Sequence, residues 1–135
     1  MDKTSKVFDS WAKAGRAEEM EGGHGVTVGK FLDSVSFDKP FSFLDIGCGN
    51  GWVVRKIAQL PKCKKAVGID KSKNMIKRSI SKKRSKKENY VCTNVESWNY
   101  TGKFDVIFSM ESLYYSVPME PALNKVFKML KTGGF

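Results

Sequence analysis

The sequence is short of acids, histidine, cysteine and long apolar runs, and each shortage narrows what the chain can be. Fourteen Asp and Glu stand against 24 Lys and Arg, a net charge of +10. No stretch approaches the roughly 18 consecutive apolar residues of a membrane span, so no membrane partner is expected. The opening residues, MDKTSKVFDSW, are polar and lack the apolar stretch of a secretion signal. Cys48, Cys63 and Cys92 are odd in number, widely spaced, and form neither a CxxC pair nor a zinc pattern. Reduced thiols in a cytoplasmic protein are therefore expected. A P-loop, GxxxxGK followed by Ser or Thr, is absent. So are internal repeats and low-complexity linkers.

What is present suffices for one packed domain. Hydrophobic residues make up 41% of 135 positions, and a chain of this size buries roughly two thirds of its unfolded surface. Two amphipathic helices are predicted at 5–20 and 26–35, separated by EGGHG. After Pro40, apolar strands alternate with helices. FSFLDI (41–46), KAVGI (65–69), NYVCT (89–93) and FDVIFS (104–109) read as strands. Residues 51–60 and 72–84 read as helices, the second with Met75, Ile76 and Ile80 inward. A third helix begins near Pro118 and Pro121, with Leu123, Val126, Phe127 and Leu130 in one stripe, and Phe135 could begin a fifth strand. This alternation predicts an α/β, Rossmann-like three-layer sandwich with a mostly parallel sheet. Ligands of such sheets bind at the carboxyl ends of the strands, beside the switch point.

The stretch FLDIGCGNGW (43–52) falls at that place. Gly47, Gly49 and Gly51 allow a sharp turn from strand to helix and let a ligand approach the backbone. The helix that follows turns its free N–H groups toward the loop. A dinucleotide fingerprint would need a small residue at position 52, where Trp52 stands. That weakens NAD and FAD as ligands, and a nicotinamide dehydrogenase with them. Asp70 ends the next strand 19 residues after Gly51, where a carboxylate can accept both hydroxyls of a ribose. The pattern asks for a ribose without a pyrophosphate.

LDIGCGNG, VGIDKSKNMI, FDVIFSMESLYY and LKTGGF, in that order, resemble the class I S-adenosylmethionine-dependent methyltransferases over about residues 41–135. The resemblance implies a core at 41–135, preceded by a helical cap or lid at 1–40 in which Trp11, Arg16 and His24 could take part. It implies that Asp45 and the Gly47–Cys48–Gly49 backbone face the amino acid part of the cofactor, Asp45 offsetting its ammonium directly or through water. Gly51 belongs to the same loop. Asp70 would hold the ribose. Met75, with Ile69 or the stem of Lys71, would pack on the adenine. Asn94 and Val95 stand where the family reads the adenine edge, with Asn where Asp is commoner. Ser109 and Met110 would line the floor near the sulfonium.

No obligatory catalytic residue follows from the resemblance. Glu111, Tyr114, Tyr115 and His24 are candidates for a general base, needed only if the acceptor must lose a proton. FSMESLYY is not the Asp/Asn-Pro-Pro-aromatic signature of base and amide methylation, so the expected acceptor is a small molecule and the expected product S-adenosylhomocysteine. The alternative is a cofactor-binding but inactive module acting through a partner or nucleic acid. Twelve Lys and Arg lie between Lys62 and Lys87 against Asp70 alone. The densest part, Lys82–Lys87, is a candidate contact for RNA or another polyanion, although the topology puts it at the edge away from the cofactor. Family members usually continue beyond LKTGGF with another strand, a helix and an antiparallel strand pair. The sheet is therefore expected to lack those C-terminal strands, the chain to be a fragment, and a homodimer to be one way of covering the open edge.

Overall fold

The computed structural model describes residues 39–109, 120–131, 133 and 134. The elements in chain order are β1 (Phe41–Ile46), α1 (Trp52–Ala58), β2 (Cys63–Asp70), α2 (Lys73–Ser81), β3 (Glu88–Cys92), β4 (Val106–Ser109) and α3 (Glu120–Met129). The strands form one parallel sheet in the order β3-β2-β1-β4. The chain steps outward from β1 to β3, then returns to the other side of β1, so the switch point lies between β1 and β4. The helices predicted at 5–20 and 26–35, and Phe135, lie outside the described residues.

β1 is buried at every position, as a central strand covered on both faces must be. Its side chains alternate between two cores. Phe41 and Phe43 join Val53, Val54 and Ile57 of α1 and Ile76 of α2 on one face. Leu44 and Ile46 join Val67, Ile69, Ala122 and Met129 on the other, under α3. Helices on both faces of a parallel sheet complete the three layers. An aromatic stack of Trp98, Tyr100 and Phe104 closes the second core, with ring centroids 4.6 and 5.1 Å apart in succession.

Three expectations need correction. α2 turns differently from its apolar pattern: Ile80 is 54% exposed, whereas Ser79 is fully buried. The cause is a hydrogen bond that the Ser79 hydroxyl donates to the Gly49 carbonyl at 2.8 Å, which locks the serine under the glycine loop. α3 likewise buries Ala122 and Met129 while Phe127 is 70% exposed. Strand four is shorter than predicted, but Phe104 still pairs with Leu130 in an isolated parallel bridge. That bridge ties the end of α3 to the amino edge of the sheet.

Candidate functional site

The parallel register brings the carboxyl ends of β1, β2 and β4 to one edge. Ile46 pairs with Ile69 and with Ser109, and Asp45 with Gly68. The glycine loop leaves β1 at this edge and folds back over β2. The N–H groups of Gly47 and Cys48 both donate to the Ile69 carbonyl, at 2.8 and 2.9 Å. Gly47, Gly49 and Gly51 all have positive φ, a conformation that costs an L side chain about 1 kcal/mol or more.

The glycines divide their work. A Cβ on Gly49 would meet nothing within 4 Å, so the backbone there opens onto free space that a ligand can approach. A Cβ on Gly51 would lie 2.9 Å from both the Ser79 hydroxyl and the Tyr90 ring. Gly51 therefore provides the close packing of helix against strand. Trp52 is free to enter the core, where it is only 9% exposed.

The turn is tied by its own polar groups. Asn50 accepts the Trp52 N–H through its side chain at 3.2 Å. Arg55 donates to the Asn50 carbonyl at 2.6 Å. Asp70 accepts the Gly49 N–H at 3.0 Å on one oxygen and the Ser72 N–H at 2.8 Å on the other. A carboxylate has about four lone-pair sites, so two acceptor positions remain on the half-buried Asp70. Ser72 caps α2 by accepting the Met75 N–H at 3.3 Å, which sets the half-buried Met75 one turn beyond Asp70.

Asp45 is the electrostatic anomaly of this edge. It is 3% exposed, and among the described residues it takes part in no side-chain hydrogen bond. Burial, reinforced by the charge of Asp70, pushes its pKa well above the ordinary carboxylate value. A buried carboxylate without a donor is costly; a cationic ligand group would remove that cost. The buried Cys48 thiol is also pushed up, first by burial and then by Asp45 and Asp70, which makes it a packing group rather than a nucleophile.

The structure thus brings together Asp45, Gly47, Cys48, Gly49, Gly51, Asp70, Met75 and Ser109. Ser109 donates its hydroxyl to the Ile46 carbonyl at 3.1 Å and so pins β4 to β1 at the edge. Lys71 is exposed beside Asp70. Asn94 accepts the Ser97 N–H at 2.9 Å through its side-chain oxygen, which leaves its amide nitrogen outward. The Val95 side chain belongs to the second core, so only its backbone is available to a ligand. Met110, Glu111, Tyr114, Tyr115 and His24, with Trp11 and Arg16, lie outside the described residues. Sequence reading missed Ser72 and Ser79. The signal was there for both: a serine in the capping position before α2, and another one turn after Ile76 on its buried face.

Asp45 gives a pH dependence whose sign can be worked out. Its folded-state pKa is raised, so the neutral form favours folding. Its contribution is fully present below the ordinary value of 3.8 and is lost as pH rises through the raised value. Unfolding free energy of the ligand-free chain is expected to fall over this window by up to about 1.4 kcal/mol per pH unit for one proton. Asp45→Asn is expected to remove that slope. Urea denaturation of both proteins across the window measures it, and identical slopes would mean that Asp45 is solvated.

The sites built for S-adenosylmethionine need an anion for an ammonium, acceptors for two ribose hydroxyls and an open glycine backbone between them. Asp45, Asp70 and Gly49 stand together at the carboxyl edge of the sheet. Comparison with known proteins agrees. The methyltransferase domain family matches residues 43–134. The mitochondrial ubiquinone biosynthesis O-methyltransferase of Saccharomyces cerevisiae is 36% identical over 87 residues, 58% of this chain and 27% of that protein. The ubiquinone biosynthesis O-methyltransferase of Pelagibacter ubique is 27% identical over 99% of this chain and 60% of that protein. The chain therefore spans 60% or less of the length of these two relatives. Among solved structures, the N-methyltransferase NodS of Bradyrhizobium japonicum in complex with S-adenosyl-L-homocysteine superposes with a TM-score of 0.76 at 25% identity, over 95% of this chain and 69% of that one. A chain from the complex of the Haloferax volcanii Trm112 methyltransferase activator with a methyltransferase gives a TM-score of 0.79 at 24% identity, over 94% and 57% of the two chains, a likeness of fold. This chain belongs to the methyltransferase domain family, the class I S-adenosylmethionine-dependent methyltransferases.

Proposed function

We propose that the chain holds S-adenosylmethionine at the carboxyl edge of its sheet and transfers the methyl group to a small-molecule acceptor. The observation that carries this reading is the buried Asp45, which has no donor among the described residues, beside the open Gly49 backbone and the two acceptor positions that those residues leave unused on Asp70. Bound there, the cofactor supplies a methyl group already activated by its sulfonium. Asp45 becomes the counter-ion of the ammonium, and its raised pKa falls as it pairs. Asp70 keeps the loop in place through Gly49 and Ser72 while it accepts the ribose. Met75 offers a polarizable side chain to the adenine face. Ser109 fixes the strand end on the floor. Holding the two reactants in line is worth several kcal/mol of barrier by itself.

Two relatives are named for O-methylation in ubiquinone biosynthesis, and a structural neighbour for N-methylation. A hydroxyl or amine of a small molecule is the acceptor class these relatives support. The test has two stages. Calorimetric titration with S-adenosylmethionine, with NAD as control, should give micromolar binding of the first and none of the second. Incubation with phenolic, carboxylic and amine acceptors should then release S-adenosylhomocysteine with at least one class. Binding without release from any acceptor would make the chain a cofactor-binding module. Absence of binding by folded protein would remove the reading altogether.

A further inference from the structure

The opposite edge of the sheet carries charge that the cofactor site does not use. α1 and α2 run back from the carboxyl edge, so their last turns lie together at the amino edge. Between them is a groove of about 870 Å³ into which Arg55, Lys56, Lys82, Lys83 and Arg84 converge beside Trp52. Arg55 spends one N–H on the Asn50 carbonyl. Among the described residues none of the five cations makes an ion pair, and the Lys131–Asp105 pair lies away from them, against β4.

The surrounding sequence offers these cations no acid. Between residues 46 and 95 the acids are Asp70 and Glu88. Asp70 is at the other edge. Glu88 is 1% exposed and turned inward, accepting the N–H groups of Arg84 and Ser85 and the Tyr90 hydroxyl. One or two basic residues at a helix end are explained by the helix dipole. Five in one concavity repel each other and focus a positive field there. The charge also continues beyond the groove, through Lys62 and Lys64 at the start of β2 and through Lys86 and Lys87 before β3. Lys87 is tied into this edge by the hydrogen bond it donates to the Leu60 carbonyl at 3.3 Å.

We propose that this groove and the lysines that extend it bind the sugar–phosphate backbone of a single-stranded nucleic acid, independently of the methyl-transfer site. Five cations in the groove and four further lysines at the same edge carry more positive charge than one small anion would neutralise, which suits a polymer of phosphates. The concavity lies between the last turns of two neighbouring helices. A flexible single strand can follow the floor of such a groove, whereas a planar membrane surface or a stiff duplex meets its rim. Contacts to phosphates alone carry no sequence preference.

The experiment is fluorescence anisotropy with labelled 12-residue RNA and DNA strands of one sequence, a duplex, and phosphatidylserine vesicles as competitor. Single strands should bind in low salt, with a log affinity against log salt slope of about −3, the value for four to five neutralised phosphates of a single strand. Equal affinity for RNA and DNA assigns the backbone alone, and a preference assigns the favoured polymer. The triple variant Lys82→Glu, Lys83→Glu, Arg84→Glu should lose at least about 30-fold in affinity and flatten the slope, while binding S-adenosylmethionine as before. Should it fail to fold, Lys82→Ala with Lys83→Ala should still weaken binding and flatten the slope. Lys103→Glu with Lys128→Glu, away from the groove, should leave RNA binding unchanged. Absence of single-strand binding, preference for the duplex, full competition by vesicles, or unchanged binding by the triple or double groove variant would each overturn the proposal.

Discussion

Asp70→Ala is expected to weaken S-adenosylmethionine binding about 100-fold, from the loss of roughly 3 kcal/mol of hydrogen bonds to a charged acceptor. The carboxylate does two jobs at once. It anchors the glycine loop through Gly49 and the start of α2 through Ser72, and it keeps two acceptor positions for a ligand. Substitution by alanine removes both, so binding and melting temperature must be read together. A ligand that lacks the amino acid part separates Asp70 from Asp45. 5′-Methylthioadenosine keeps the ribose and the adenine but has no ammonium. Asp70→Ala should weaken both ligands, whereas Asp45→Asn should weaken S-adenosylmethionine and spare methylthioadenosine. Equal losses for both ligands in the Asp45 variant would mean that Asp45 supports the loop rather than the ammonium.

Glu88→Ala is expected to destabilise the fold by about 3 kcal/mol, as much as truncating a large core side chain. Its carboxylate receives three donors inside the protein: the Arg84 and Ser85 N–H groups at 2.9 and 2.8 Å and the Tyr90 hydroxyl at 2.6 Å. Burial, and then the hydrogen bond to Glu88, push the Tyr90 phenol well above its ordinary pKa, so it stays a donor. Deleting the acceptor strands these groups at a position that is 1% exposed, and each buried unsatisfied donor costs about 1–3 kcal/mol. Water can reach the 82–85 turn, which holds the sum near the lower end. Against a total stability of about 5–15 kcal/mol, such a loss lowers the melting temperature by about 10 °C. Glu88→Gln keeps an oxygen for the two N–H groups and should cost about 1 kcal/mol. Equal melting temperatures for Glu88→Ala and the unaltered protein would show the network to be dispensable. The same substitution should loosen the turn that presents Lys82, Lys83 and Arg84.

The order and type of the elements after Pro40 were legible because their signals are local. FSFLDI and KAVGI are short apolar runs that only a strand buried on both faces can use. Gly47 and its neighbours stop the first strand where a positive φ is needed. The positions of Asp45 and Asp70, each at or beside a strand end, followed from the same punctuation, and so did the resemblance that named the ligand. Periodicity was less reliable for the helices. It put Ile80 and Phe127 inside, because it counts apolar side chains and gives no weight to the hydrogen bond that draws Ser79 under Gly49.

The placement of the charge was decided in space. The sequence by itself determined that the chain is basic, that its cations crowd between Lys62 and Lys87, and that a glycine loop is followed by an acid one strand later. Only the tertiary structure gave the glycines separate tasks, because what a Cβ would meet at Gly49 or Gly51 depends on Ser79 and Tyr90, far away along the chain. Only the fold left Asp45 buried without a donor among the described residues, since burial is set by the strands on either side of it. Only the fold joined Arg55 and Lys56 to the run that starts at Lys82, because two parallel βα units must return their helix ends to the same edge of the sheet.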